Sequence, residues 1–237
     1  MRSFAALYRT LTRTIDTRAR RFGFIALAAI GTGVAALVAA NEPGDPVRAA
    51  VALINTFNLT FLVPVAALVY GTAALGDPTD DGTLVYLWLR PVPRRTITAA
   101  GVLAAMTFVV PLGVIPAAAE AAIFSVDGDV VVAAAFAGGL AAIGYSAFFL
   151  LLGLVTNRSL VWGIGYVLIY ETFLARGGKS LGALSIHSHA ASLLSKLVDR
   201  KLRLAYFSWP AATIGGLAIA AIALVVASSR LEHAEVP

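Results

Sequence analysis

Six apolar runs recur along the chain, over about 22–40, 49–75, 96–120, 130–156, 159–175 and 206–228, and short polar intervals rich in Asp, Arg, Gly and Pro separate them. Charge enters these runs only at Glu120, which closes the third, and at Glu171, which interrupts the fifth. A helix rises about 1.5 Å per residue, so about 20 residues cross a hydrocarbon core about 30 Å thick. The pattern therefore predicts an all-α integral membrane protein with six transmembrane helices. Pro64, Pro111 and Pro116 fall inside them, where neighbouring helices can satisfy the freed carbonyls, and kinks are expected there. Gly138, Gly139, Gly144 and Gly153 make the fourth run the smoothest, which predicts close packing against other helices.

Three further elements emerge between and before the runs. Over residues 2–20, Phe4, Leu7, Leu11 and Ile15 recur at three or four residues opposite Arg2, Arg9, Arg13, Arg18 and Arg20. This predicts an amphipathic helix in the headgroup plane, its apolar side dipping into the acyl boundary. A cleaved signal peptide fits less well, because the following apolar stretch exceeds the roughly 7–15 residues of a signal core. Between the second and third runs, Asp77-Pro78 and Asp81-Gly82 mark turns. A short helix carrying Tyr86 and Trp88 then runs to Arg90, where Pro91 and Pro93 stop it. The product is a stiff, charged elbow. Between the last two runs, Leu193, Leu194, Leu197 and Val198 alternate with Lys196, Arg200 and Lys201, predicting a second amphipathic helix on the outer surface.

Composition excludes the soluble classes. The chain is 59% hydrophobic and 13% charged, against roughly a quarter charged in a soluble domain. The net charge of +5 does not indicate nucleic acid, because the basic residues are scattered through the polar intervals instead of clustering on one face. With the amino terminus in the cytoplasm, Arg2, Arg9, Arg13, Arg18, Arg20, Arg21, Arg90, Arg94, Arg95, Arg158 and Arg230 lie inside. Arg48, Arg176, Lys179, Lys196, Arg200, Lys201 and Arg203 lie outside. The basic amino terminus decides this orientation, which places both termini in the cytoplasm. Cys is absent, so neither disulfides nor thiolate metal sites are expected.

Candidate chemistry is sparse. Glu120 and Glu171 are the acids flanked by apolar sequence on both sides, and such residues are functional candidates in a membrane. Glu120 lies 25 residues beyond Arg95, roughly 37 Å along a helix, which predicts the outer edge. Glu171 lies 13 residues beyond Arg158, roughly 20 Å, which predicts a deeper position as a partner of Arg176 or as a polar point on a translocation path. Gly177-Gly178-Lys179-Ser180 has the ending of a phosphate-binding loop without its first Gly or a preceding strand. Ser146 has no His in any run to activate it. His187 and His189 fall short of a metal-ligand set. No catalytic residue, metal or cofactor is therefore expected in this chain, and a membrane-embedded enzyme is the weaker reading.

The string Asp81-Gly82-Thr83-Leu84, followed by Arg90-Pro91-Val92 and Arg94, resembles the cytoplasmic signature of the ABC-2 type permeases. The usual form there is an acidic residue, Gly-Thr-Leu, a few apolar residues and an Arg-Pro-Val-Ser-Arg-like stretch. The glutamates flanking Gly-Thr-Leu and the Lys entering the third span in many members are replaced here by Pro78, Val85 and Ala99 or Ala100, leaving the acidic role to Asp77 and Asp80. The resemblance implies that the elbow is a coupling helix, with Asp77, Asp80, Asp81, Gly82, Thr83, Leu84, Arg90, Pro91, Arg94 and Arg95 contacting an ATPase. It also implies two ABC ATPase subunits that bind ATP and Mg, a second and identical permease subunit, and surrounding membrane lipids. The expected function is the membrane-spanning permease of an ABC exporter, with lipidic, hydrophobic drug or polyketide-like cargo. A component assisting maturation of an exported metalloenzyme is the alternative within the resemblance.

Overall fold

A computed structural model of the chain describes residues 2–80 and 93–233. It is helical throughout, with no strand among the described residues. The elements are α1 (Arg2–Ile15), α2 (Arg18–Ala40), α3 (Pro46–Leu53), a π-helical segment π1 (Ile54–Leu62), α4 (Val63–Asp80), α5 (Arg94–Ile123), α6 (Gly128–Val155), α7 (Ser159–Gly165), a second π segment π2 (Tyr166–Glu171), a 3-10 turn (Leu174–Gly177), α8 (Lys179–Gly182), α9 (Ile186–Leu197) and α10 (Trp209–His233). Among the described residues, five stretches are long and apolar enough to cross a membrane: Arg18–Ala40, Pro46–Pro78, Arg94–Ile123, Gly128–Val155 and Trp209–His233. Their outward faces are dry. Phe22, Leu37, Ile214 and Val225 are each about two-thirds exposed, which water would penalise and lipid does not. The protein is an α-helical multi-pass membrane protein.

Helix α6 is the central strut and packs against α4, α5, α9 and α10. Small residues permit this. A side chain at Gly138 would strike the carbonyl of Gly113 on α5, and one at Gly153 would strike the backbone of Thr72 on α4, so both neighbours approach to backbone contact. By contrast α2 is peripheral, burying only Phe24, Gly31 and Ala35. The ends of the bundle are identified by contacts. Arg20 of α2 pairs with Asp77 of α4 at 3.4 Å, Gly101 of α5 lies against Leu75 of α4, and Thr98 of α5 bonds Ser228 of α10 at 2.7 Å. The start of α2, the end of α4, the start of α5 and the end of α10 therefore share one end. Asp45 and Arg200, 3.5 Å apart, mark the other.

Several expectations are corrected. The amino-terminal helix stops at Ile15. Thr17 caps a new helix by accepting from the Arg20 amide at 3.3 Å, and Asp16 pairs with Arg21 at 2.7 Å, so Arg18 and Arg20 belong to α2. The apolar side of α1 faces protein: Leu7, Leu11 and Ile15 are buried against α5 and α4, and Tyr8 bonds Thr107 at 2.8 Å. Asp77-Pro78 does not break the chain, because α4 continues to Asp80 with Pro78 inside it. The second run begins earlier, at Pro46, where Asp45 accepts from the Arg48 amide at 3.0 Å and Pro46 occupies the first turn, which needs no donor.

Pro64 produces more than a kink. A π-helix bonds each carbonyl to the amide five residues on, and at Leu59 that partner would be Pro64, which has no N–H. The chain is wound as π1 up to Leu62, and Val63 donates to Asn58, five residues back. The fifth run is broken as well: α7 and π2 together supply 13 residues and end at Glu171. The later helix begins at Ile186, not near Leu193. It does not lie on a surface, since Ile186 through Ser195 are all buried against α6 and α10. The amphipathic signal at its carboxyl end marks only the last turn, where Lys196 and Leu197 emerge.

Candidate functional site

Glu171 organises the interior of the half away from the Arg20–Asp77 pair. It is 3% exposed and collects donors from three segments. Its Oε1 accepts from Tyr145 of α6 at 3.1 Å, from Tyr166 at 2.8 Å, and from the Ile186 and His187 amides at 3.1 and 3.5 Å. Oε2 accepts from the Ser185 hydroxyl. The winding explains the Tyr166 bond, because i→i+5 bonding in π2 places residues five apart close together. Ser185 is the N-cap of α9, accepting from the Ser188 amide at 2.9 Å. The carboxylate thus sits at the positive end of α9. A charge this deep is tolerable only with several hydrogen bonds, and here hydroxyls and amides supply them. The expected partner Arg176 is not within ion-pair distance of Glu171 and only lines the same cavity.

That cavity holds about 180 Å³ between π1, α6, π2 and the start of α9. His187 projects from the first turn of α9 and is 4% exposed. Burial pushes its imidazole below the usual range, with Arg176 adding to the depression, while Glu171 and the Leu59 carbonyl that Pro64 leaves free pull it upward. His189 is also lowered, chiefly by burial, and its Nε2 lies 3.0 Å from the Ala183 carbonyl. Ser146 is fully buried and its hydroxyl has no hydrogen-bond partner among the described residues. No group of three or more His, Cys, Asp or Glu side chains arranged for a metal occurs among the described residues.

Glu120 lies in the last turn of α5. It is fully buried beside Gly31, the middle of α2, where an added side chain would meet its Oε1 and Phe57. Neither oxygen has a hydrogen-bond partner among the described residues. A carboxyl without partners opposes folding, so Glu120→Leu is expected to raise thermal stability in detergent by on the order of 1 kcal/mol. A lowered melting temperature would show that Glu120 has a partner after all.

Of the residues expected to contact an ATPase, the structure describes the side chains of Asp77, Arg94 and Arg95. Asp77 pairs with Arg20 and Arg95 with Glu232 at 3.6 Å, and both pairs are half open to solvent and weak singly. They lie at the same end of the bundle, where α4 ends and α5 starts. The Asp80 side chain and residues Asp81, Gly82, Thr83, Leu84, Arg90 and Pro91 lie outside the described residues. Tyr166 and Ser185 carry no motif in the sequence. The signal for Ser185 was its position as a cap before Ile186, Ala190, Leu193 and Leu197 at helical spacing. Compared with family models and with curated proteins, the chain matches none.

Proposed function

We propose that this chain is the membrane-spanning permease subunit of an ATP-driven exporter of the ABC-2 type, working in a bacterial plasma membrane as two identical copies with two ABC ATPase subunits that bind ATP and Mg. The reading rests on the motif between α4 and α5. Its supporting observation is geometric: the helix ends flanking that motif meet at one end of the bundle together with the start of α2 and the end of α10, and Arg20, Asp77, Arg95 and Glu232 pair there. A soluble motor could grip all of these elements at once. That end is the cytoplasmic one, in keeping with the arginines of the amino-terminal region.

The chain's path favours six crossings. Helix α6 runs toward the end that holds Asp77 and α10 finishes there, so the chain must return between residues 156 and 208. The stretch α7–π2 carries it inward for 13 residues, roughly 20 Å, and the segment anchored on Glu171 completes the passage. In operation, closure of the motors would favour one arrangement of the membrane halves by differential contact with the elbow. The test is copurification of an ATPase from the native host, with its hydrolysis measured before and after residues Gly82 to Arg95 are scrambled. Loss of stimulated hydrolysis, with helicity and melting temperature retained, is expected. Unaltered hydrolysis would remove the coupling assignment.

A further inference from the structure

A groove of about 740 Å³ runs down the side of the bundle between α5, α6, α9 and α10. Small-molecule sites span roughly 300–1,000 Å³, so the groove has room for a ligand. Leu140 and Leu193 form a buried floor, while Val132, Phe136 and Trp209 on the rim are each more than half exposed. Thr213 also lines it, but its hydroxyl donates to the Trp209 carbonyl at 2.9 Å. The walls are therefore apolar and open sideways, toward lipid. Gly139 adds to the space, since a Cβ there would meet only a Val114 methyl at 3.4 Å.

Length and charge select the occupant. Helix α6 starts at the end marked by Asp45 and Arg200, as α10 does, so Val132 and Trp209 lie toward that end. Ile143, at the inner limit of the groove along α6, is 11 residues beyond Val132, roughly 16 Å. Half of a hydrocarbon core about 30 Å thick is about 15 Å, so the groove is as long as one leaflet is deep. A helix from another chain would cross the whole core, whereas an acyl chain stops at the midplane. At the mouth, Asp129 stands three residues before Val132 and seven before Phe136, heading the same stripe of α6, and Lys196 falls between Leu193 and Leu197 in the last turn of α9. Both are exposed, and neither is ion-paired among the described residues.

We propose that this groove binds an acyl chain of a zwitterionic phospholipid from the leaflet at that end, with the phosphate at Lys196 and the cationic headgroup nitrogen at Asp129. Packing against the floor holds the chain, because no water is displaced when a lipid tail leaves the bilayer for an apolar groove. An anionic phospholipid would meet Asp129 with like charge. The site is remote from the ATPase-facing elbow and binding is read on the chain alone, so its failure would leave the coupling assignment untouched.

The experiment uses the full chain, delipidated in maltoside detergent, and follows thermal unfolding and native mass against phosphatidylcholine and, separately, against phosphatidylglycerol with the same acyl chains. Saturable stabilisation is expected with one phosphatidylcholine retained per chain, and phosphatidylglycerol should bind about threefold more weakly. Asp129→Asn should erase that difference. Gly139→Leu and, independently, Ala135→Phe build into the groove and should weaken binding about tenfold or more. Ala218→Phe, at an exposed position of α10 outside the groove, should leave it unchanged. No saturable binding of phosphatidylcholine, parent-like binding by both filled variants, or equally tight binding of phosphatidylglycerol to the parent would overturn the proposal. So would a dimer mass that disappears in the filled variants while the parent retains no lipid, which would make the groove an interface between copies of this chain.

Discussion

Replacing Glu171 by alanine is expected to destabilise the protein by about 3–5 kcal/mol, the range for uncoupling a buried charged network. The substitution leaves the Tyr145 and Tyr166 hydroxyls, the Ser185 hydroxyl and two amides of α9 with no acceptor in a buried site. Each orphaned buried donor carries a desolvation penalty of about 1–3 kcal/mol, though these do not add in full. Glu171→Gln should be much milder, about 1 kcal/mol, because a carbonyl oxygen can remain at the Oε1 position where four of the donors converge. Thermal unfolding in detergent separates the variants, and hydrogen exchange locates the damage. Alanine should release protection in Ile186–Leu197, the helix whose first turn depends on this carboxylate. Equal stability of the parent and both variants would mean that α9 is held by its apolar packing alone.

The second large effect lies at the α5–α6 seam. A Cβ at Gly138 would land on the Gly113 carbonyl, and a backbone group inside a helix cannot swing aside as a side chain can. Gly138→Leu is therefore expected to cost at least 3 kcal/mol, roughly the upper end for overpacked sites, and to lower the yield of folded protein. Gly139 is the control on the next residue. Its added Cβ would stand 3.4 Å from a Val114 methyl, an ordinary contact, so Gly139→Ala should change the melting temperature little. Similar behaviour of the two variants would show that the helices are not in backbone contact at Gly138.

Much of this molecule is already written in one dimension. Lipid imposes a length and a dryness on every crossing, so α2, α5, α6 and α10 stand out from polar surroundings without knowledge of their neighbours. The smooth surface of α6 is likewise plain from Gly138, Gly144 and Gly153, since small residues are what allow helices without water between them to approach. The Asp45-Pro46 start is a local signal as well, although apolarity alone began that run at Ala49.

Three-dimensional packing decided the rest, and each case turns on a partner distant in the chain. The apolar stripe of α1 suits lipid or protein equally, and only the presence of α5 and α4 settles which it meets. Glu171 has no neighbour in sequence that foretells a hydroxyl on α6 or the amide ends of α9, so a residue suited to an ion pair with Arg176 became an anchor for a buried helix. Glu120 is buried because α2 and Phe57 of π1 close over it, and no local pattern foretells those neighbours. Periodicity records which side of an element is apolar, while hydrogen bonds between remote segments depend on where the chain comes back, and no local pattern encodes that.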